Sequence, residues 1–174
     1  MAFDGSFSRD ATALIGCTTT GHLFVWRVWE RPHSDPTWKV PRSEVDASVD
    51  DAMAQYPDMT LFCDPAKWPS EVEEWASKYG ETRVLEFPQS NERMVPAVAK
   101  FYAAVVEGEL SHDGVPVFAS HVGNAVTKEL SGERYTLRKK MKELKIDALV
   151  AAVMAYDRAT LVEVEAPVPA ISLL

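Results

Sequence analysis

Three aspartates, Asp4, Asp64 and Asp147, lie where an acidic side chain is costly unless something pairs with it. Asp4 and Asp64 each end a short apolar run, and Asp147 opens an apolar segment with helical spacing. Divalent cations such as Mg²⁺ take oxygen ligands, and carboxylates contributed by separate elements suit them. If the three acids reach one point, they form a site for metal-assisted phosphodiester chemistry. We therefore take them as the candidate catalytic and metal-binding residues.

Each of the three acids also has a purely structural explanation. Asp4 could cap the bend formed by Gly5 and Ser6, and Asp64 could be an ordinary turn residue ahead of Pro65. Asp147 could be a first-turn acid that the helix dipole favours. The catalytic hypothesis therefore depends on all three occurring together.

The elements that must position these acids follow from hydrophobic periodicity and turn residues. Residues 1–30 predict a three-stranded antiparallel meander, and residues 60–63 and 84–87 predict two further strands. Helices are predicted near 45–56, 70–79, 90–107, 116–129 and 146–159. Ser70 and Glu73 form a candidate capping box for the second of these helices.

Three antiparallel strands followed by strand–helix units predict an α/β protein of the ribonuclease H-like class. Its mixed central sheet would be flanked by helices, with the meander followed by parallel strands. Ligand sites in α/β sheets gather where strands end. This plan places Asp4 at the first strand, Asp64 at the carboxyl end of the fourth and Asp147 at the start of the last helix. We expect one domain over residues 1–160 and a tail over 161–174, which would be an edge strand or a linker.

Composition excludes several classes of protein. The chain has 174 residues and is 47% hydrophobic, which suits one domain with a substantial core. Its longest apolar runs are shorter than the ~18 residues of a membrane helix, and the N-terminus has no signal-peptide pattern. Cys17 and Cys63 lie in apolar strand-like runs, which predicts buried reduced thiols and an intracellular protein.

The net charge of −8 argues against a surface that is basic throughout, as in many nucleic-acid-binding proteins. Residues 128–145 are an exception, with seven basic residues and three acids. This segment is either a solvated face or a phosphate-contacting surface. Its candidate DNA-binding residues are Arg138, Lys139, Lys140 and Lys145.

A second group of residues could support the candidate site without binding the metal. Asp10 follows Asp4 by six residues and belongs either to the rim of the site or simply to a turn. His121, Asn124 and Lys128 have the spacing of one helical stripe, which could face the site or the DNA. A lone histidine on such a helix is more often structural. The five tryptophans are interpreted as packing residues.

Four stretches, FDGSFSRDATALIG, CDPAKW, HVGNAV and KIDALVAAVMAYDRA, resemble the nuclease domain of phage large terminase subunits. The resemblance covers roughly residues 2–159 and is most specific in the last stretch. It implies a two-metal endonuclease that cuts concatemeric double-stranded DNA during genome packaging in the host cytoplasm. Asp4 would bridge two Mg²⁺ or Mn²⁺ ions, with Asp64 and Asp147 each completing the ligand set of one ion.

The resemblance also implies partners. An ATPase motor precedes the nuclease domain in such proteins, and a portal and a small terminase subunit act with it. The chain has no glycine-rich phosphate loop of the motor type, so we expect the motor to be absent from it. A first strand that starts at Met1 and is central to the sheet also suggests an excised domain.

Two alternatives remain open on the sequence alone. The stretch DGSFSRDATAL also resembles the phosphate loop of actin-like kinases, although those proteins need a much longer chain. The second alternative is a catalytically silent DNA clamp or motor-docking module on the same fold, in which the acids serve only structure.

Overall fold

Short apolar strands at the start of the chain build the centre of a six-stranded mixed sheet. The computed structural model describes residues 1–7, 10–32, 34–132 and 134–161. The strands of this sheet are β1 (Ala2–Asp4), β2 (Thr12–Cys17), β3 (His22–Trp29), β4 (Leu61–Cys63), β5 (Val84–Glu86) and β6 (Ser111–His112). Their spatial order is β5-β4-β1-β2-β3-β6.

The sheet combines both kinds of strand pairing. β1, β2 and β3 pair antiparallel, which confirms the predicted meander. β4 adds parallel to β1, and β5 adds parallel to β4. β6, which the sequence pattern does not predict, adds parallel to β3 at the other edge.

Five helices accompany the sheet: α1 (Arg42–Gln55), α2 (Pro69–Tyr79), α3 (Asn91–Glu107), α4 (Pro116–Gly123) and α5 (Asp147–Ala159). Side chains alternate between the two faces of a strand, so the sheet has a separate hydrophobic core on each face. Phe3 packs with α1 and α2, whereas its neighbour Ala2 packs with α3 and α5. The helix α5 contacts both β1 and β2. Its small residues Ala151, Ala152 and Ala155 are buried and allow this close approach.

The predicted helix over residues 116–129 is wrong beyond Gly123. Residues 125–139 instead form a two-stranded antiparallel hairpin of β7 (Ala125–Leu130) and β8 (Arg134–Lys139). Gly132 in its turn has a φ of 73°, a left-handed conformation that favours glycine. Lys128 therefore lies on a strand, and the predicted helical stripe does not extend to it.

Two smaller predictions also differ from the structure. The capping box is wrong because α2 begins at Pro69 after Trp68, and Trp68 makes no side-chain cap. Cys63 is buried as predicted, but Cys17 is only partly buried; both are free thiols. Trp29, Trp68 and Trp75 are core residues, as predicted.

Among the described residues, no helix is long and apolar enough to cross a membrane. The predicted tail lies outside the described residues from position 162 onward.

Candidate metal centre

The ends of two neighbouring parallel strands bring Asp4 and Asp64 together. Ala2 pairs with Phe62 and Phe3 with Cys63, so the next residues in this register are Asp4 and Asp64. The backbone N–H of Asp64 donates to the carbonyl oxygen of Phe3 at 3.1 Å, which continues the ladder. Strand alternation then directs both carboxylates to the face that α5 covers.

Asp147 reaches the same region from the first turn of α5. Its side chain is buried, and its Oδ2 accepts a hydrogen bond at 3.2 Å from the backbone N–H of Ala11. Ala11 immediately precedes β2, so this bond ties the start of α5 to the connection between β1 and β2. The three predicted acids are therefore contributed by β1, the end of β4 and the start of α5.

The pKa of Asp4 is raised to about 8 by its burial and by the negative charges of the other two acids, Asp147 and Asp64. Burial also raises the pKa of Asp64. The pKa of Asp147 is raised by burial and then by the charge of Asp10. A divalent cation would relieve this repulsion, because its positive charge favours the ionised carboxylates.

The sequence pattern does not single out Gln89, which lies against Asp4. Its side-chain amide donates to Asp4 Oδ1 at 2.9 Å and lies 3.7 Å from Met154 Sδ. Gln89 follows β5, the neighbour of β4, so the rule that sites gather at strand ends could have identified it.

Asp10 lies in the connection between β1 and β2 and pairs with two predicted DNA-binding lysines. It accepts a hydrogen bond from Lys139 Nζ, and Lys145 Nζ lies 3.7 Å away. Burial alone would raise the pKa of Asp10, but these two lysines lower it below its usual range. The hairpin strand β8 is thereby linked to the connection between β1 and β2.

The other two predicted DNA-binding residues are on the surface. Arg138 and Lys140 are exposed, and Lys140 Nζ donates to the carbonyl oxygen of Gly123. Of the four predicted basic residues, two are thus held beside the acids and two face solvent.

His121 and Asn124 hold the segment that precedes α5. The buried His121 accepts a hydrogen bond through Nδ1 from the backbone N–H of Ala148 at 2.8 Å. Its Nε2 lies 2.8 Å from Glu30 Oε1, so Nε2 carries the proton and donates it. Asn124 Nδ2 donates to the carbonyl oxygen of Lys145 at 3.0 Å. His121 is buried and Asn124 is partly buried, and their hydrogen bonds hold the segment that leads into α5.

The donor set suits a hard divalent cation, since all three candidate ligands are carboxylates. Within the described ranges, however, no set of three His, Cys, Asp or Glu side chains is gathered closely enough to hold a metal ion. Asp4 and Asp147 instead accept hydrogen bonds from Gln89 and Ala11. Convergence of the three carboxylates on shared ions therefore stays a prediction.

Comparison with known families identifies the family of the chain. Residues 54–163 match the family described as "Terminase large subunit, endonuclease domain". The chain belongs to this family. The matched range includes Asp64 and Asp147, whereas Asp4 precedes it. A curated relative, the "Gene 13 protein" of Mycobacterium phage L5, extends the similarity to 90% of the chain at 34% identity. This terminase nuclease domain spans only 28% of that relative.

Solved structures show the ribonuclease H-like fold of terminase nucleases. The large terminase of bacteriophage HK97 superposes with a TM-score of 0.73 at 20% identity, covering 90% of this chain and 38% of that one. The large terminase nuclease of the thermophilic phage G20c, solved with bound magnesium, superposes with a TM-score of 0.63 at 13% identity. That match covers 90% of this chain and 78% of the phage G20c chain. The predicted fold class is confirmed.

Proposed function

We propose that this chain is a metal-dependent endonuclease that hydrolyses phosphodiester bonds of double-stranded DNA. The observation that carries the proposal is the placement of Asp4 and Asp64 at adjacent strand ends, with Asp147 opening the helix that covers them. Neighbouring carboxylates that are buried or partly buried are costly in a protein unless they serve a purpose. Family membership supports the same activity.

The proposed ligands of two Mg²⁺ or Mn²⁺ ions are the carboxylates of Asp4, Asp64 and Asp147. Two bound ions would activate the attacking water and stabilise the leaving oxygen. Magnesium in the phage G20c nuclease supports this choice of cation. Two hydrogen bonds hold the proposed metal-binding carboxylates in place. The side-chain amide of Gln89 donates to Asp4, and the backbone N–H of Ala11 donates to Asp147.

Proton release would accompany metal binding. Because burial raises the pKa of Asp4 to about 8, its carboxyl group carries a proton for much of the time at neutral pH. Metal ligands must be deprotonated, so binding would displace that proton. Metal affinity should therefore rise with pH through this range.

The wider role we propose is cleavage of concatemeric DNA during genome packaging in the host cytoplasm. An ATPase motor on the same polypeptide, a portal and a small terminase subunit would be the partners. The relative from phage L5 is much longer than this chain, which leaves room for such a motor.

Incubation with supercoiled plasmid tests the activity directly. The purified chain should nick and linearise the plasmid with Mn²⁺ or Mg²⁺, and excess EDTA should stop the reaction. Asp64→Ala should abolish cleavage and remain folded, because it removes one of the mutually repelling charges. The matched control is Asp58→Ala, which removes an exposed aspartate from a turn. Equal cleavage by the parent and Asp64→Ala would refute the assignment.

A thermal-shift titration tests the metal site separately. A ligand present at about a hundredfold excess over its Kd stabilises the folded state by ~2.7 kcal/mol. For a chain of this size that corresponds to roughly 5–10 °C in Tm. Mn²⁺ should raise the Tm of the parent and of Asp58→Ala, but not that of Asp64→Ala. A metal-dependent rise in Tm without cleavage would favour the silent clamp.

A further inference from the structure

An exposed aromatic side chain and two basic residues lie in the loops that follow the strands of Asp4 and Asp64 and at the start of α1. Phe7 follows Asp4 by three residues and is 46% exposed. Lys67 follows Asp64 by three residues and is also exposed. Arg42, the first residue of α1, places its guanidinium 5.1 Å from the centre of the Phe7 ring. We call Phe7, Arg42 and Lys67 the Arg42 rim.

Trp68 links the loop that follows β4 to the loop that follows β1. Its ring is fully buried and stacks on Phe7 with centroids 6.2 Å apart and planes at 16°. The Trp68 indole N–H donates to the carbonyl oxygen of Ser6 at 3.3 Å. A Cβ on Gly5 would lie 2.3 Å from this ring, so only glycine allows the contact. The loop that carries Lys67 is thus packed against the loop that follows Asp4.

Arg42 is held in place without losing its exposure. Its Nη1 donates to the buried carboxylate of Glu71, and its guanidinium lies 5.0 Å from the Trp68 ring centroid. The side chain nevertheless remains 51% exposed. Because a guanidinium has five N–H donors, one ion pair leaves others available for an anion.

Lys67 differs from the lysines on the hairpin side of the site. Lys139 and Lys145 are paired with Asp10, whereas no acid in the described part of the chain lies within ion-pairing distance of Lys67. Lys67 lies in the loop after β4, where the backbone N–H of Ala66 donates to Asp64 Oδ1 at 3.4 Å and Trp68 stacks on Phe7. Lys67 is therefore three residues from Asp64 in a loop that is tied to the site, and its ammonium group forms no ion pair within the described residues.

We infer that the Arg42 rim binds the sugar–phosphate backbone of duplex DNA beside the bond to be cut. Lys67 contacts a phosphate near the acids, Arg42 contacts a second phosphate, and the Phe7 ring packs on a deoxyribose. Contacts of this type fix the register of the duplex without reading its sequence. This inference rests on the proposed function, and it adds a DNA contact surface outside the basic segment 128–145.

Binding of a fluorescein-labelled duplex, measured by anisotropy across a salt series, tests the rim. The Asp64→Ala background keeps the duplex intact. In that background Lys67→Gln should lower affinity by about tenfold, since it removes a charge-assisted hydrogen bond to phosphate. The slope of log K against log salt should become shallower by about 0.9. Lys67→Arg should largely restore both values.

Lys78→Gln is the matched control, because it removes the same charge from the far end of α2. It should leave the salt slope unchanged. Arg42→Gln leaves Glu71 without its partner, so the double variant Arg42→Gln/Glu71→Gln is measured beside it, with thermal unfolding to confirm folding. Both Arg42 variants should bind more weakly than the control.

The outcomes separate this inference from the proposed function. If Lys67→Gln and the Arg42 variants keep the parent's affinity and salt slope, the rim is refuted while plasmid cleavage can still stand. If Lys67→Gln weakens duplex binding in the Asp64→Ala background but the unsubstituted chain never cleaves plasmid, the rim stands and the nuclease activity is refuted. Absence of any duplex binding by the parent would overturn both.

Discussion

The Nδ1 atom of His121 accepts a hydrogen bond from the backbone N–H of Ala148, 2.8 Å away, in the first turn of α5. Asp147 immediately precedes Ala148, so a side chain on α4 fixes the position of a candidate metal ligand. The opposite ring nitrogen donates to Glu30, which sets the tautomer. Side-chain acceptors at the start of a helix satisfy N–H groups that would otherwise be left without partners.

Replacing His121 by Ala should therefore affect both folding and metal binding. Loss of a buried hydrogen-bond acceptor should lower the free energy of unfolding by about 1–3 kcal/mol in urea titrations. Mn²⁺ affinity, measured by calorimetry in conditions where the variant stays folded, should fall as well. Glu30→Gln keeps an acceptor for Nε2 and should have a smaller effect. Unchanged Mn²⁺ affinity in folded His121→Ala would show that the contact is structural only.

The metal-free protein should lose stability as pH rises from about 4 to 8. Burial and nearby acids raise the folded-state pKa of Asp4 to about 8, well above its unfolded value near 3.9. The folded state then binds more protons than the unfolded state over this range, so the free energy of unfolding falls with pH. Asp64 and Asp147, whose pKa values are also raised, act in the same direction.

Asp4→Asn should remove much of this pH dependence. It should stabilise the protein by on the order of 2 kcal/mol at pH 8 and have little effect at pH 4. Urea unfolding in EDTA at a series of pH values measures the difference. Asp58→Asn, an exposed control, should follow the parent curve. A stability that rises between pH 4 and 8 would contradict the prediction.

Gly5→Ala should be strongly destabilising. The added Cβ would lie 2.3 Å from the Trp68 ring and 2.7 Å from the Phe3 ring, both of which are fully buried. Overpacking of this kind typically costs about 1–3 kcal/mol. It would also displace Asp4, so Mn²⁺ affinity should fall.

Gly123→Ala is the natural control for that substitution. Gly123 ends α4, and a Cβ added there would meet no described atom within 4 Å. Thermal unfolding should show a clear drop in Tm for Gly5→Ala and little change for Gly123→Ala. Equal Tm values for the two variants would mean that the ring packing around Gly5 adapts freely.

The basic hairpin segment should supply sequence-independent DNA contacts. Lys139→Ala/Lys140→Ala should make the salt slope shallower by about one unit for each phosphate that the variant no longer neutralises. Because Lys139 is already paired with Asp10, Lys140 should account for more of the change. Affinity for two unrelated duplexes across a salt series measures this, with Lys78→Ala as the control. A strong preference for one duplex would contradict backbone-only binding.

Local patterns in the amino-acid sequence account for the central features of the fold and for the candidate acids. Apolar runs of strand length predict β1 to β5, and the small apolar residues of α5 predict a helix packed on the sheet. These signals are local, because periodicity is a property of neighbouring residues. Asp4 and Asp64 can be paired from sequence since parallel strands end at the same edge of a sheet.

The surroundings of the site depend on tertiary contacts instead. The strand β7 reads as a continuing helix in sequence, and β8 is not predicted at all, because both strands are partly exposed. The hairpin packs on α3 through β8, including the Tyr102–Tyr135 ring contact. Such β propensity depends strongly on context.

The partners of individual side chains likewise depend on the folded chain. Asp10 and Lys139 are hydrogen-bonded although they are 129 positions apart in the sequence, and Gln89 and Asp4 are hydrogen-bonded at a separation of 85. No local pattern encodes contacts at such separations; they arise when packing of the two cores fixes the loops at one edge of the sheet. The types of residue that could do chemistry are therefore readable from the sequence, whereas their hydrogen-bond partners and the Arg42 rim follow from the folded structure.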